Sequence, residues 1–315
     1  MMRLNALTLK QLRCLVAVAE RRSLSAAAAA LNQTTPAIHS QIRNLEDAAG
    51  VALLARAADG SGFDLTVEGT ELLRAAHRIE ANLSQAAAAM AAIARGRRGR
   101  VVLGVVSTAK YFAPRLVRRL LDLEPEIDVV MRVGNRDRVA AELAHGAVNL
   151  AIMGRPPRQP EVQVSPLGPH PHGVILPPDH PLAREDGFDP LRLLSETFLS
   201  REEGSGTRVL MMRFFDRLAE GHPVRLIEME SNETIKQAVL AGLGLAFLSL
   251  HTVCDELTAG RLALLRGPGL PVMRHWYLVL PAWSEPAPAT SAIATAIEGL
   301  NGTYLPTAAC LSQAA

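Results

Sequence analysis

The sequence is short of cysteine, of long apolar runs and of net charge, and each shortage removes a class of protein. Its three cysteines, Cys14, Cys254 and Cys310, are scattered through 315 residues without C-x-x-C spacing. An odd, dispersed set supports neither a disulfide framework nor a zinc site, so the three are expected to be buried small hydrophobes. No apolar stretch approaches the ~20 residues that a bilayer-spanning helix needs. The first residues carry no basic segment followed by an apolar stretch and a cleavage site, so a cytoplasmic location without a membrane partner is expected. Catalytic signatures are missing too. Glu203-Gly204-Ser205-Gly206-Thr207 is not G-x-S-x-G, no phosphate-loop lysine motif occurs, and Gly242-x-Gly244 lacks the third glycine of a dinucleotide fingerprint. His170, His172 and His180 lie on a proline-rich stretch at spacings that fit no helical metal pair, and read as surface loop. Neither an enzyme nor a metal protein is expected, and no cofactor.

What is present is 49% apolar residues in a chain long enough for two or three compact units. Leu24 to Glu46, LSAAAAALNQTTPAIHSQIRNLE, reads as two short helices joined by a polar turn. Ser25 is placed to N-cap the first, Ala26 to Leu31, and Asn32-Gln33-Thr34 supplies the turn. Thr35 is placed to cap the second, with Pro36 at its first position, where a missing N–H loses nothing. Ile38, Ile42 and Leu45 share one face. The opposite face, Thr35, His39, Ser40 and Arg43, is polar and suited to base edges and phosphates in a major groove. Periodicity alone leaves an ordinary helical hairpin equally open.

Net charge is +2, but it is unevenly spread: residues 1–100 hold 13 Lys+Arg against 8 Asp+Glu, and residues 101–315 hold 20 against 23. A basic head on a body that does not bind a polyanion fits that division. From Thr66 to Ile93, Leu72, Ala76, Ile79, Leu83, Ala86, Met90 and Ile93 recur at four- and three-residue steps, a coiled-coil seam in which Leu72, Ile79, Leu83 and Met90 are the dimerisation candidates. About 28 residues at ~1.5 Å rise make a helix of ~42 Å, too long for one small domain to cover. Arg95-Gly96-Arg97-Arg98-Gly99-Arg100 then reads as a helix end and hinge.

From Val101 the pattern becomes short apolar runs alternating with helices. VVLGVVS, Ala109 to Leu123, DVVMRVG, Arg136 to His145 and LAIMG form a βαβαβ unit. HGVILPP, TFLSR, Thr207 to Leu218, RLIEMES, Glu233 to Ala241, GLAFLSL and LALLRG form a second, and HWYLVLP leads to a helix near Thr290 to Leu300. The fold class is α/β: a head over 1–66, a linker helix over 67–96, and a two-lobed domain over 97–300. Lobe one takes about 101–166 and 270–300, lobe two about 167–269, and 301–315 is a patternless tail. Ligands of such sheets sit beyond the carboxyl ends of the strands, where helix N-termini favour anions. Ser107, Thr108, Gly154, Arg155, Arg201, Ser205, Thr207, Arg208, Asn232 and Thr234 lie at such ends. Plain caps and turns account for each stretch alone; their convergence on one cleft points to an anion site.

LKQLRCLVAVAERRSLSAAAAALNQTTPAIHSQIRNLEDAAGVALLAR, Leu9 to Arg56, resembles the winged helix-turn-helix of LysR-type transcriptional regulators without a gap. That resemblance implies that Gln33, Thr34, Thr35, Pro36, His39, Ser40 and Arg43 face DNA and that Ala55 to Thr66 is the wing. The wing departs from the family pattern, with Ala57-Ala58-Asp59-Gly60-Ser61-Gly62 where basic residues are usual. VVSTAKYFAPRL, VGNRDRV, LAIMGRPP, LPPDHPLA, FLSREEGSGTR and SNETIKQAVLAGLGLAFLSLHTV resemble the members of that family that activate RubisCO (Calvin-cycle) operons, from Leu7 to about Trp283. The resemblance implies a periplasmic-binding-protein-like effector domain in a homodimer-based homotetramer. Its implied partners are double-stranded operator DNA, RNA polymerase and a small anionic effector such as ribulose bisphosphate, phosphoenolpyruvate or NADPH. The rival expectations are a LysR-type regulator of another metabolic operon, and a solute-binding protein or enzyme sharing only the two-lobe fold.

Overall fold

The computed structural model describes residues 4–57, 60, 62–94, 98–185, 187–218, 223–283 and 285–306. It divides into two compact units, 1–87 and 88–315.

In the first unit, α1 (Leu9–Arg21), α2 (Leu24–Ala30) and α3 (Thr35–Ala49) precede a two-stranded antiparallel wing, β1 (Leu54–Arg56) and β2 (Phe63–Leu65), and the greater part of the long helix α4 (Val67–Ala94). Thr8 closes a capping box with Gln11 at the start of α1. The next two caps fall earlier than the sequence spacing places them. Ser23, not Ser25, caps α2, and Thr34, not Thr35, caps α3, its Oγ1 accepting from the Ala37 N–H. Thr35 and Pro36 therefore both lie inside the first turn, where the ring of Pro36 still displaces no hydrogen bond. Leu12, Leu15, Val18, Ala27, Ile38, Ile42, Leu45 and Leu53 form the core, with Ala76 of α4 fully buried against them. Gly69 lets α4 approach: a Cβ there would stand 2.0 Å from the Leu53 carbonyl oxygen. Thr66 fastens the same junction, its Oγ1 accepting from the Gly69 N–H at 2.9 Å and donating to the Ala52 carbonyl at 2.9 Å.

Farther along α4, Ile79, Leu83, Met90 and Ile93 remain 38%, 45%, 70% and 63% exposed. Leu72 instead packs on the head core, so of the four dimerisation candidates it is the one with an intramolecular role. The arginine-glycine hinge begins at Arg95 to Arg97, which lie outside the described residues, as do Ala58, Asp59 and Ser61 of the wing.

The second unit carries β3 (Gly99–Val106), α5 (Ala113–Leu123), β4 (Ile127–Gly134), α6 (Arg136–Ala144) and β5 (Leu150–Met153). Then come β6 (Val162–Leu176), α7 (Pro190–Ser195), β7 (Thr197–Arg201), α8 (Gly206–Leu218), β8 (Arg225–Met229), α9 (Asn232–Leu240) and β9 (Leu245–Ser249). The chain ends in α10 (Cys254–Thr258), β10 (Ala263–Leu264), β11 (Val272–Pro281) and α11 (Pro288–Gly299). The sheet runs β4-β3-β5-β11-β6-β9-β7-β8, with β10 on β6. Parallel β4-β3-β5 and β9-β7-β8 make two lobes, each covered by helices, as parallel sheets must be. Alternation along lobe two's strands shows both faces covered: Phe198, Leu245 and Phe247 belong to one buried cluster, Leu199, Ala246 and Leu248 to the other.

Between the lobes run β6 and β11, paired antiparallel from Val272↔His172 to Pro281↔Val162. The amino end of β6 belongs to lobe one, and its His172 to Ile175 pair with β9 of lobe two. Pro166, Pro169 and Pro171 are tolerated because this stretch pairs only with β11, which leaves one edge of the strand without a ladder. The sequence expectation of a loop across these prolines is thereby corrected to continuous strand. The tail also differs: Tyr304 and Leu305 are buried in lobe one's core. Cys14 is buried and free, as a small hydrophobe should be. Cys254, by contrast, is half-buried and disulfide-bonded, which corrects that expectation for it; Cys310 lies outside the described residues.

Candidate functional site

Each unit carries one polar surface that is a candidate functional site. On α3 the packing of Ile38, Ile42 and Leu45 into the head core turns Thr35, Pro36, His39, Ser40 and Arg43 outward, all exposed, with Thr34 exposed at the cap. Gln33 is half-buried, and its Oε1 has no partner. Arg43 makes no ion pair among the described residues, whereas Arg22, close to the wing, is paired with Asp64 at 2.7 Å. A cationic side chain with no internal partner on an outward helix face is available to a phosphate or a guanine edge. Arg56, exposed at the end of β1 and also without an ion pair among the described residues, is a second such cation.

In the second unit a small cavity opens where the two lobes meet. The ends of β3 and β5 contribute Ser107, Thr108, Gly154 and Arg155. The start of α8 contributes Ser205, Gly206 and Thr207, and Arg136, Arg213, Arg274, His170 and His172 complete the polar wall. Ser205, Thr207 and Thr108 are buried as residues and line the cavity with their neighbours. α8 points its N-terminal N–H groups at the same space, where they favour an anion.

The arginines set the electrostatics. Burial, then Arg213, Arg136, Arg158 and Arg274 in that order, holds the Arg155 guanidinium below its ordinary pKa. Of these five, only Arg136 has a carboxylate within ion-pair distance among the described residues, Asp137 at 2.7 Å. Cations this close, mostly uncompensated from within, repel one another, and an anion among them relieves that repulsion. A shallower groove shares Arg136, Arg155 and Arg213 with the cavity and adds Arg158, so the positive wall continues outward.

Of the ten residues predicted at strand and helix ends, the structure brings Ser107, Thr108, Gly154, Arg155, Ser205 and Thr207 around this cavity. It places the other four outside its wall. Arg201 is buried, and its fork is spent on Glu202, with Nε donating to Oε2 at 2.6 Å and Nη2 to Oε1 at 2.8 Å. Its Nη1 donates to Ser107 Oγ at 3.1 Å and to Asn232. Burial pushes the Glu202 carboxyl up, but the hydrogen bonds and charge of Arg201 outweigh that and hold it below its usual value. Asn232 is thus a structural acceptor. Arg208 donates to the Arg201 carbonyl at 2.8 Å and pairs with Glu228. Thr234 is exposed and bonded to the Ser231 hydroxyl at 2.8 Å.

Arg136, Arg213, Arg274, His170 and His172 were missed by sequence reasoning. Helical periodicity could have found Arg213, which falls two turns after Gly206 on one face of α8. His170 and His172 are corrected from surface loop to buried strand, 3% and 4% exposed. Among the described residues no group of three or more His, Cys, Asp or Glu could hold a metal ion, and no helix is long and apolar enough to cross a membrane.

Residues 9–70 match the family described as bacterial regulatory helix-turn-helix protein, lysR family, and residues 94–300 match the LysR substrate binding domain. The HTH-type transcriptional regulator CbbR of Cereibacter sphaeroides is 58% identical over 97% of this chain and 99% of its own length. CbbR of Xanthobacter flavus is 42% identical over 95% and 90%. The regulatory domain of Synechocystis PCC6803 CcmR, solved in complex with 2-PG, is 32% identical with a TM-score of 0.61, over 65% of this chain and 98% of that one.

Proposed function

Because the chain belongs to the LysR family of DNA-binding, ligand-responsive transcriptional regulators, we propose that it activates a RubisCO operon of the Calvin cycle in response to an anionic metabolite held in the arginine-lined cavity. One observation carries the ligand half of this reading. Arg136, Arg155, Arg213 and Arg274 converge on a cavity that also holds buried hydroxyls and the start of α8. Such a wall calls for a ligand with more than one negative charge, bound by charge-assisted hydrogen bonds. Ribulose bisphosphate, phosphoenolpyruvate and NADPH all meet that requirement, and the 2-PG complex of CcmR supports a small ligand in this domain. The operon half is supported by the names and full-length coverage of the two CbbR relatives.

DNA is engaged through α3, with Gln33, Thr34, Thr35, Pro36, His39, Ser40 and Arg43 facing the major groove. The exposed Ile79, Leu83, Met90 and Ile93 of α4 support pairing with a second copy, and two such pairs make the homotetramer. The protein works in the cytoplasm, where its operator and RNA polymerase are.

Calorimetric titration with the three metabolites, paired with footprinting on the promoter of the RubisCO operon, tests both halves. The expected result is micromolar binding of at least one metabolite and a footprint whose extent or bend changes when it is added. Absence of binding by all three sinks the ligand assignment, and protection of that promoter no better than random DNA sinks the operon.

A further inference from the structure

The inner end of the cavity holds a polar atom that nothing in the fold uses. His170 lies on β6, stacked on the indole of Trp276 with ring centroids 3.6 Å apart and planes 14° apart. Its Nε2 is 2.9 Å from Ser249 Oγ, but its Nδ1 is buried without a partner. That edge of the ring faces Gly154. A Cβ at 154 would stand 2.7 Å from Nδ1 and 2.9 Å from Cε1, so only the missing side chain lets that edge of the ring lie so close to the backbone of 154. Both residues belong to the cavity wall.

The surroundings define what this nitrogen can do. His172, ring centroid 4.1 Å away, donates Nδ1–H to the His170 carbonyl at 3.1 Å, and a carbonyl only accepts, so that proton is fixed. His251, 5.9 Å away, accepts from Trp276 Nε1 at 3.1 Å. Arg274 pairs with His170 across the β6–β11 ladder. Burial first, then His172, His251 and Arg274, keep His170 neutral. An uncharged imidazole beside an arginine arc adds nothing by charge; it offers one directed hydrogen bond, and an unpaired buried polar atom is costly until a partner arrives.

We propose that His170 is a specificity-determining residue whose Nδ1 hydrogen-bonds an uncharged oxygen, a hydroxyl or ketone, of the same effector whose anionic groups the arginines hold. The site then selects a phosphorylated hydroxy or keto compound over a bare anion. This rests on the reading of the cavity as the effector site.

The test uses the full chain in calorimetry with three probes: ribulose bisphosphate, which carries hydroxyls and a ketone; phosphoenolpyruvate, which carries neither; and pyrophosphate, an anion alone. Wild type is expected to bind ribulose bisphosphate at least about tenfold tighter than either of the others. His170→Phe keeps a ring against Trp276 and removes Nδ1. It should weaken ribulose bisphosphate about tenfold and change pyrophosphate by less than about twofold. Gly154→Ala, which puts a methyl group against Nδ1 and forces the ring to shift, should give the same pattern, so a folding defect in one variant leaves the other decisive. Nitrogen-15 NMR adds a readout that packing alone does not move: the His170 Nδ1 resonance shifts with ribulose bisphosphate and not with pyrophosphate. Equal losses for both ligands, no loss in either variant, an unmoved Nδ1 resonance, or phosphoenolpyruvate binding as tightly as ribulose bisphosphate overturns the proposal. If wild type binds none of the probes, the effector-site reading itself fails and this proposal falls with it.

Discussion

Arg213 lies seven positions after Gly206, and at about 100° per residue that returns it to the cavity side of α8, whereas Arg208 is turned about 200° away. Arg213→Ala is therefore expected to lower affinity for an anionic effector by about tenfold or more, since a charge-assisted hydrogen bond contributes about 1.5–3 kcal/mol. Arg208→Ala should leave effector affinity within about twofold and only lower thermal stability, because its partners are the Arg201 carbonyl and Glu228. Titration calorimetry and melting of the two variants side by side check this; equal losses of affinity would mean that α8 does not present Arg213 alone. The two arginines also show how far the sequence could be read. Ser107, Thr108, Gly154, Arg155, Ser205 and Thr207 were legible because the end of a strand or the start of a helix is marked locally by small and hydroxyl residues. Arg201, equally polar and equally at a strand end, is consumed by the neighbouring Glu202, and sequence position does not say whether a carboxylate points at its neighbour or away. Arg274 and His170 were illegible for a different reason. They meet through antiparallel pairing of segments about a hundred residues apart, and the prolines beside His170 imitate a loop in one dimension.

Elements were more legible than sites. The segments behind β3, α5, β4, α6, β7, α8, β8, α9 and β11 recur in the structure within a few residues, because short β-branched and apolar runs mark strands and three- to four-residue spacing marks helices. What failed was fine detail set by competition, as at α2 and α3, where two hydroxyl residues stood near each cap and the one that leaves more of the first turn helical prevailed. For α4, Leu83→Asp is expected to yield monomers and abolish tight operator binding. A carboxylate placed in a seam between two helices is desolvated without a partner. Analytical ultracentrifugation decides, and a variant that sediments like wild type would remove α4 as the interface. For α3, Arg43→Ala should weaken operator binding without altering the melting profile. A loss shared with random duplex, together with a salt slope lower by about one, marks a phosphate contact; a loss of ~1–3 kcal/mol confined to the operator marks a base contact. Unchanged affinity on both duplexes would take Arg43 out of the interface.

At the scale of the whole molecule, three buried histidines in the middle of the two-lobed unit make its stability depend on pH. His172 and His251 are pushed down by burial to about 3 and about 4, and His170 well below its ordinary 6.5. The unfolded chain takes up these protons near pH 6.5 while the folded one refuses them, so stability is fully present above pH 6.5 and is lost as pH falls below it. Each histidine contributes a slope of roughly 1.4 kcal/mol per pH unit there. Scanning calorimetry of the full chain between pH 7.5 and about 4.5 should show the transition of this unit moving to lower temperature with a dependence of up to about three protons. A transition that does not move would mean the histidines are not held neutral.

The ribbon of β6 and β11 gives that middle a mechanical character. The lobes are joined not by loops but by two strands hydrogen-bonded to each other from Val272↔His172 to Pro281↔Val162, with a register shift at Trp276/Tyr277. A joint of two mutually hydrogen-bonded strands is stiffer than a pair of separate loops, because bending it strains both strands and the ladder between them. Trp276 sits at that irregularity with the ring of His170 stacked on it, so a molecule held at the inner end of the cavity lies against the joint itself.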